Sequence, residues 1–315
     1  MLSRTADHLY WMARYIERAE NMARVLDVTY RMSLVSSAGH DEADLWRPPV
    51  LIADDVAAFE RDYGDYTAAN VMHYMALDER NPSSIVSCLG AARENARSVR
   101  VAMSSEMWET VNALWLELRQ RLGQGLSEAD IGDFCDWVKS RSHLFRGVTV
   151  GTMLRDDGYM FVRLGTFIER ADNTARLLDA KYHLLMAQTR GTAATVDYYE
   201  WSSLLRSVSA FEAYQKVYRD TIEPSKVAEL LVLRNDMPRS LHGCYSEITP
   251  ILEHLCTQRG KEVLRLGGET HAQLRFGRME DIFKRGLHAF LQEFIGRNNG
   301  LGLEIQRSFL NAPAA

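Results

Sequence analysis

Several features are scarce in this 315-residue chain, and each scarcity excludes something. Strand signals are nearly missing. Alternating β-branched runs are few, and no Asn-Gly or Asp-Gly turn sits between two of them, so a β-sheet protein is excluded. The four cysteines, Cys88, Cys135, Cys244 and Cys256, are scattered. They form no C-x-x-C pair and have no histidine at zinc-ligand spacing, which argues against a disulfide scaffold and a structural zinc site. No apolar run approaches the ~20 residues that would cross a bilayer. The opening stretch, MLSRTADHLYWMARYIER, carries charges where a signal peptide would be apolar. A basic excess is also lacking: 37 lysines and arginines face 42 acidic residues, for a formal net charge of −5. That balance argues against a nucleic-acid binder, although a local basic patch stays open. The glycines form no GxGxxG or GxxxxGK[ST] phosphate loop, and Gly151, Gly158 and Gly165 fall inside helical patterning. The expectation is a reduced, cytoplasmic protein that holds no metal or cofactor and uses no ATP by itself.

What is present is helical periodicity, in nearly every window. The spacing predicts helices over 4–33, 82–121, 128–146, 156–186, 238–258 and 279–310, with shorter ones near 54–61, 67–76, 197–217 and 224–233. Breakers separate them at Arg47-Pro48-Pro49, Asn81-Pro82, Gly123-Gln124-Gly125, Arg190-Gly191-Thr192 and Gly260. Pro82 and Pro238 sit where a first helical turn accepts a proline. The fold class is all-α.

The chain also repeats itself. Tyr15 to Asp27 reads YIERAENMARVLD, and Phe167 to Asp179 reads FIERADNTARLLD. Met1-Leu2 matches Met153-Leu154, and Ala58-Phe59-Glu60 matches Ala210-Phe211-Glu212, at the same spacing. Leu77–Cys88 (LDERNPSSIVSC) matches Leu233–Cys244 (LRNDMPRSLHGC) four residues further on. Matches that stay in order imply a duplicated unit. The expected architecture is one domain over 1–315, a single large helical bundle with a pseudo-two-fold, its halves about 1–150 and 151–315 and consecutive helices antiparallel.

On a helical wheel the repeated segment is amphipathic. Tyr15, Ala19, Met22, Ala23, Leu26 and Tyr30 share one side, while Arg14, Glu17, Glu20, Asn21, Arg24 and Arg31 share the other. In the second copy Glu169, Asp172, Asn173 and Arg176 take the polar side. The bland reading is a solvated face laced with i,i+3 and i,i+4 pairs. Against it, Glu17/Glu169, Arg18/Arg170, Asn21/Asn173, Arg24/Arg176 and Asp27/Asp179 all match, whereas a wet surface tolerates most substitutions within a few tenths of a kcal/mol. A shielded network explains the matching better. Arginine grips carboxylates bidentately, and asparagine both donates and accepts. Such a network is either sealed and structural or open as a site for an anionic or peptide-like ligand, and the sequence leaves both open. The expected residues are Glu17, Arg18, Glu20, Asn21, Arg24, Glu169, Arg170, Asp172, Asn173 and Arg176.

Other constellations carry less. Glu17-x-x-Glu20 and Glu169-x-x-Asp172 resemble half of a di-metal carboxylate site, but no histidine stands at the third position after either pair. Histidines 8, 40, 73, 143, 183, 242, 254, 271 and 288 are dispersed. Cys88 and Cys244 occupy matching positions and read as small buried hydrophobes rather than nucleophiles. Arg93, Glu94, Arg97 and Arg100 lie on a long helix near Trp108 and Trp115. They read as a charged rim or as a groove for a carboxylate-bearing peptide. Aspartates in Met153–Gly158 are placed to cap the next helix.

The opening MLSRTADHLYWMARYIERAEN, the central NPSSIVSCLGAARENARSVR with SSEMWE, the TMLRDDGY turn and LGTFIERADNTARLLD together resemble the bacterial Alpha-E family. That family is named for an α-helical domain with an E-R signature, here Glu17-Arg18 and Glu169-Arg170. The resemblance covers essentially the whole chain. It implies partnership with a circularly permuted ATP-grasp protein and a transglutaminase-like protease, in a system that makes or trims peptide-like amide bonds. Three roles follow as expectations. The first is a non-catalytic accessory or substrate-binding subunit of an amidoligase-type partner. The second is a peptide-modifying enzyme with its site on the repeated Glu, Asn and Arg residues. The third is a scaffold with a sealed polar network.

Overall fold

The computed structural model describes residues 1–35, 42–188, 194–256 and 260–310. The breaker at Arg190-Gly191-Thr192 and His40 lie outside them, as do the side chains of Tyr182 and His183. The described residues form helices joined by turns, with no strand among them. They divide into two compact units, Met1–Thr166 and Phe167–Ala315, and the division falls inside a helix.

The first unit contains α1 (Ser3–Val35), α2 (Glu42–Ala53), α3 (Val56–Asp62), α4 (Ala68–Met72, continued by a π-helical turn His73–Leu77), α5 (Ile85–Ser98), α6 (Ser105–Gln124) and α7 (Ile131–Thr152). It also contains the first turns of α8 (Asp157–Gln188). The helices α1, α5, α6 and α7 form a ring of antiparallel neighbours. His8 near the start of α1 meets Asn95 near the end of α5 at 2.7 Å. Along α7 the partners of α1 run backwards, Arg146 with Glu17, Ser142 with Glu20 and Lys139 with Asp27. Between α6 and α7, Ser104 meets Thr152 at 2.6 Å and Trp137 donates to Glu117 at 2.9 Å, again in reversed order. Short connections favour such antiparallel packing. Leu26, Val50, Phe59, Met75, Leu89, Leu118 and Phe134 fill the core against small Ala19 and Ala23 of α1. Gly165 lets the first turns of α8 approach α1 closely, since a Cβ there would lie 2.3 Å from the Tyr10 carbonyl oxygen.

The second unit holds the rest of α8, then α9 (Ala194–Ser207), α10 (Phe211–Tyr218), α11 (Pro224–Val232), α12 (Leu241–Leu255), α13 (Lys261–Phe276), α14 (Met279–Arg285) and α15 (Leu287–Ile305), with a π-helical turn Gln306–Leu310. Asn298 of α15 donates to the Ile168 carbonyl of α8 at 3.1 Å and accepts from Tyr245 of α12 at 3.1 Å. Asp179, further along α8, meets the earlier His288 and Gln292, so α8 and α15 are antiparallel. Thr249 with His271, and Leu252 against Gly267, set α12 antiparallel to α13.

Several expected boundaries shift for identifiable reasons. Pro48 and Pro49 do not break the chain but lie inside α2. Each interior proline costs about 3 kcal/mol of helix, and burial of Trp46, Val50 and Ile52 on that helix offsets it. The stretch expected as one helix over 82–121 is interrupted at Val99–Ser104, where the Ser104 hydroxyl accepts from the Met107 amide and starts α6. Helix α13 went unpredicted because Gly260, Gly267 and Gly268 mask its period. The segments 197–217 and 279–310 are each broken by a positive-φ residue, Ser209 (φ 52) and Gly286 (φ 97). Pro82 and Pro238 precede their helices rather than start them; the caps are Ser84 and Ser240, accepting from the Ser87 and Gly243 amides at 3.2 and 2.8 Å. In both turns the cysteine thiol points back to the proline carbonyl, Cys88 to Pro82 and Cys244 to Pro238. The Ala-Phe-Glu triplets do not take the same place: Phe59 is inside α3, while Phe211 opens α10. Asp156, as expected, caps α8 by accepting from the Tyr159 amide at 3.2 Å.

Candidate functional site: a buried charge ladder

The polar stripe of α1 is not solvated. Glu17, Glu20, Asn21, Arg24 and Asp27 are all buried, with Glu20 at 0% exposure. Ionised groups so placed need partners, because an isolated buried charge costs several kcal/mol even after relaxation. Some come from α1 itself: Arg24 donates through Nε to Glu20 Oε1 at 2.8 Å, and Arg31 to Asp27 at 2.7 Å. The others come from α7. Ser142 Oγ donates to Glu20 Oε2 at 2.6 Å, and Arg146 Nη1 lies between Glu17 (3.1 Å) and Glu20. Arg24 Nη2 donates to His143 Nε2 at 3.1 Å, an assignment that leaves the ring proton on Nδ1. One layer further, Lys139 Nζ bridges Asp27 (2.7 Å) and Asp136 (2.6 Å). Burial disfavours the lysine charge, but the hydrogen bonds to the two aspartates outweigh it, and the lysine pKa rises above its ordinary value. Cys135 on the same helix is buried, and that burial raises its thiol pKa, with the Asp27 charge adding to the effect. A thiol so held is protonated at neutral pH and packs as a small apolar group.

Chemically, the ladder alternates acid and base along one helix interface. It fixes the register of α1 against α7, since sliding by one turn would set Glu20 against Lys139's layer and leave Arg146 without its carboxylates. His143 is more than half exposed, so the ladder reaches the surface there.

In the second unit the matching residues are less deeply placed. Glu169 and Arg170 are buried, and Asp172, Asn173 and Arg176 are half-buried. Arg176 pairs with Asp172 at 2.7 Å. Arg170 lies over the Phe167 ring at 5.2 Å, and half-buried Arg18 over Tyr15 at 5.8 Å. Asp179 accepts from His288 at 2.6 Å and Gln292 at 2.7 Å.

The arginines near the end of α5 do not enter this ladder. Glu94 is exposed and holds Arg93 and Arg97 at 2.5 and 2.8 Å, and these two arginines lower its pKa. Arg100 lies over Trp108 at 5.1 Å, while Trp115 packs where Gly90 leaves room. Among the described residues no cluster of three or more His, Cys, Asp or Glu side chains could hold a metal. Sequence reasoning missed the α7 contribution, Lys139, Ser142, His143 and Arg146. Their 3-1-3 spacing is the one signal that could have revealed a second polar stripe.

A second polar cluster sits in the turn before α5, and a separate charge pair in the turn before α12. Arg80 holds Asp78 through Nε (3.0 Å) and Nη2 (2.8 Å), and Tyr63 donates to the same carboxylate at 2.8 Å. The Arg80 guanidinium keeps the Asp78 carboxyl well below the usual range. The matching turn pairs Arg234 with Asp236, with the signs exchanged.

Long helices, an E-R pair on α1 and on α8, and a buried charge ladder define an all-helical domain. The chain belongs to the Alpha-E family, described as a predicted alpha-helical domain with a conserved ER motif, which matches residues 1–310. It is similar to uncharacterised proteins of Mycobacterium bovis and of Mycobacterium tuberculosis strains CDC 1551 and H37Rv, at 27% identity over 93% of this chain. The chain spans 35% of the length of each of these curated relatives. No solved structure matches it. Among the described residues no helix is long and apolar enough to cross a membrane.

Proposed function

We propose that this protein is a helical accessory or substrate-binding subunit of an ATP-grasp, amidoligase-type partner that makes or modifies peptide-like amide bonds. The carrying observation is that the stretch aligned with this chain makes up only 35% of the mycobacterial relatives, which therefore join it to a larger polypeptide. The ladder supports the same reading. Glu17 and Glu20 hold Arg146, Ser142 and Arg24 within the first unit, so their charges serve helix register there. A transglutaminase-like protease is the second partner this reading implies, and a peptide is the implied ligand. The setting is the cytoplasm, where such a ligase finds ATP.

The same proposal takes the two units as copies of one helical unit. Helices α1 and α8 run 33 and 32 residues. Both serine-capped proline turns carry a thiol on the proline carbonyl. A left-handed residue precedes both α3 and α10, Asp54 and Ser209, with the same pair of amide bonds back to α2 and α9.

The test is ATP turnover with amino acids or short peptides, using the ATP-grasp protein with and without this chain. The expected result is no turnover by the chain alone and faster or more selective turnover by the pair. Amide formation by this chain alone would overturn the reading.

A further inference from the structure

Outside the ladder, two histidines stand against each other between α12 and α13. The rings of His242 and His271 lie 5.6 Å apart, centre to centre, and are tilted by 54°. His242 is buried in the first turn of α12, and His271 is half-buried on α13. Their partners fix the proton on each ring. The Leu233 carbonyl only accepts, so His242 keeps its proton on Nδ1 and donates it at 2.8 Å. Thr249 gives its own hydroxyl proton to the Tyr245 carbonyl, so its oxygen accepts from His271 Nδ1 at 3.0 Å. Each imidazole is thus held in one neutral tautomer, and Nε2 is the atom left to take a further proton.

These bonds tie separate elements together. His242 joins the start of α12 to the turn before it, and His271 joins the last turns of α13 to the middle of α12. One turn earlier on α13, Leu252 of α12 packs against Gly267. Beyond His271 the only buried side chain of that helix is Leu274, at 1% exposure, while Phe276 at its end is 75% exposed. The end of α13 therefore rests on Leu274 and on the His271 bond.

A second proton finds little welcome there. Facing His271 are His242 and exposed Glu253 from α12, with exposed Arg275 from α13. The turn before α12 adds buried Arg239 and the Arg234–Asp236 pair. Ser246 Oγ, 3.5 Å from His271 Nε2, is at the limit of a hydrogen bond. Burial first, then His242, then Arg275 hold the His271 pKa below its ordinary value, and the attraction of Glu253 is the smallest of these causes.

We propose that His242 and His271 form an acid-sensitive latch: two neutral rings hold α13 against α12 near neutral pH, and protonation of His271 frees the last turns of α13 and uncovers Leu274. The latch does not depend on the accessory-subunit reading. Its sign follows from the direction of the shift. The stability that neutral His271 contributes is fully present above an ordinary histidine pKa of about 6.5 and is lost as pH falls through the lower folded value.

The test uses the full chain. Histidine ring resonances followed by NMR against pH, assigned with His271→Gln, should show His271 titrating below about 6.5, and His242→Gln should move that titration upward. Hydrogen exchange at the amides of 271–276, corrected for the intrinsic rate, should run several-fold faster at about pH 5 than at about pH 7 in wild type. In His271→Gln, which keeps a donor for Thr249, that acceleration should vanish. Titration of His271 at or above about 6.5 would overturn the latch, and the wild-type measurement alone decides this if a variant fails to fold. An unmoved titration in His242→Gln would remove the pairing. Equal acceleration in wild type and His271→Gln would show that acid acts elsewhere.

Discussion

Glu20 is the residue on which the ladder's energetics can be measured most directly. Its side chain is 0% exposed and accepts from Arg24, Ser142 and Arg146. Replacing it with alanine leaves the buried Arg24 guanidinium and the largely covered Arg146 facing a void where their carboxylate stood. Breaking a buried pair by removing one partner typically costs about 3–5 kcal/mol. For a unit of this size each kcal/mol moves the melting temperature roughly 2–4 °C, so Glu20→Ala should lower it by roughly 6–20 °C. The internal control is Arg31→Ala. Arg31 is 62% exposed, and its pair with Asp27 is screened by water, so its loss should cost under about 1 kcal/mol. Glu20→Gln keeps an acceptor for Ser142 but loses the charge, and should fall between the two. Thermal melts by circular dichroism, with a Glu20/Arg146 double-mutant cycle, would resolve the pairwise part. If Glu20→Ala melts within about 2 °C of Arg31→Ala, the ladder is not energetically buried and the reasoning fails.

Gly165→Ala should destabilise by about 1–3 kcal/mol or block folding, because its Cβ meets the Tyr10 backbone at 2.3 Å; Gly147→Ala on α7, with open space, should instead stabilise by about 0.5–1 kcal/mol. Chemical denaturation reads both. Ser84→Ala and Ser240→Ala should each cost about 1 kcal/mol as lost helix caps, seen as parallel shifts in urea midpoint. Asp78, depressed mainly by its hydrogen bonds from Arg80, contributes stability that is fully present above an ordinary aspartate pKa of about 4 and fades as pH falls through its lower folded value. The stability gap between wild type and Asp78→Asn should therefore be constant from neutral pH to about pH 5 and narrow below about pH 4. A gap that stays constant to pH 2 would show that Asp78 is not held as a carboxylate by Arg80.

The fold class was legible because helix formation depends on local period, and α1 and α8 stand nearly where their patterns put them. Buried position along α1 was legible for a different reason: matching charges in register have no purpose on a wet face. What escaped was decided by tertiary contact. Nothing local tells that Pro48 and Pro49 sit inside a helix whose Trp46 and Val50 are buried, or that Gly267 and Gly268 lie within α13 without ending it. The α7 half of the ladder escaped because Lys139, Ser142, His143 and Arg146 lie within a stretch that, taken alone, reads as an ordinary charged helix face. Their meaning depends on α1 lying antiparallel beside them, which only closure of the helix ring establishes.

On the duplication proposed above, the two polar devices of this fold have diverged in opposite ways, and the contrast separates their roles. In the turns before α5 and α12, Asp78–Arg80 became Arg234–Asp236. The pair survives while its signs exchange, although Asp78 also accepts from Tyr63. Along α1 and α8 the signs hold: glutamate stays at 17 and 169, arginine at 24 and 176, aspartate at 27 and 179. Arg24 and Arg176 each keep the acid four residues earlier, while the aspartate's partners change, since Asp27 meets Lys139 and Arg31 whereas Asp179 meets His288 and Gln292. A residue kept only for one salt bridge would be free to swap sign with its partner. Reversing Glu20 alone would strand Arg24, Ser142 and Arg146 at once, whereas at the turn the two charges exchanged together. On that proposed duplication, the fixed element is the stripe of α1 and α8, to which the neighbouring helices supply whatever donors their own sequences allow.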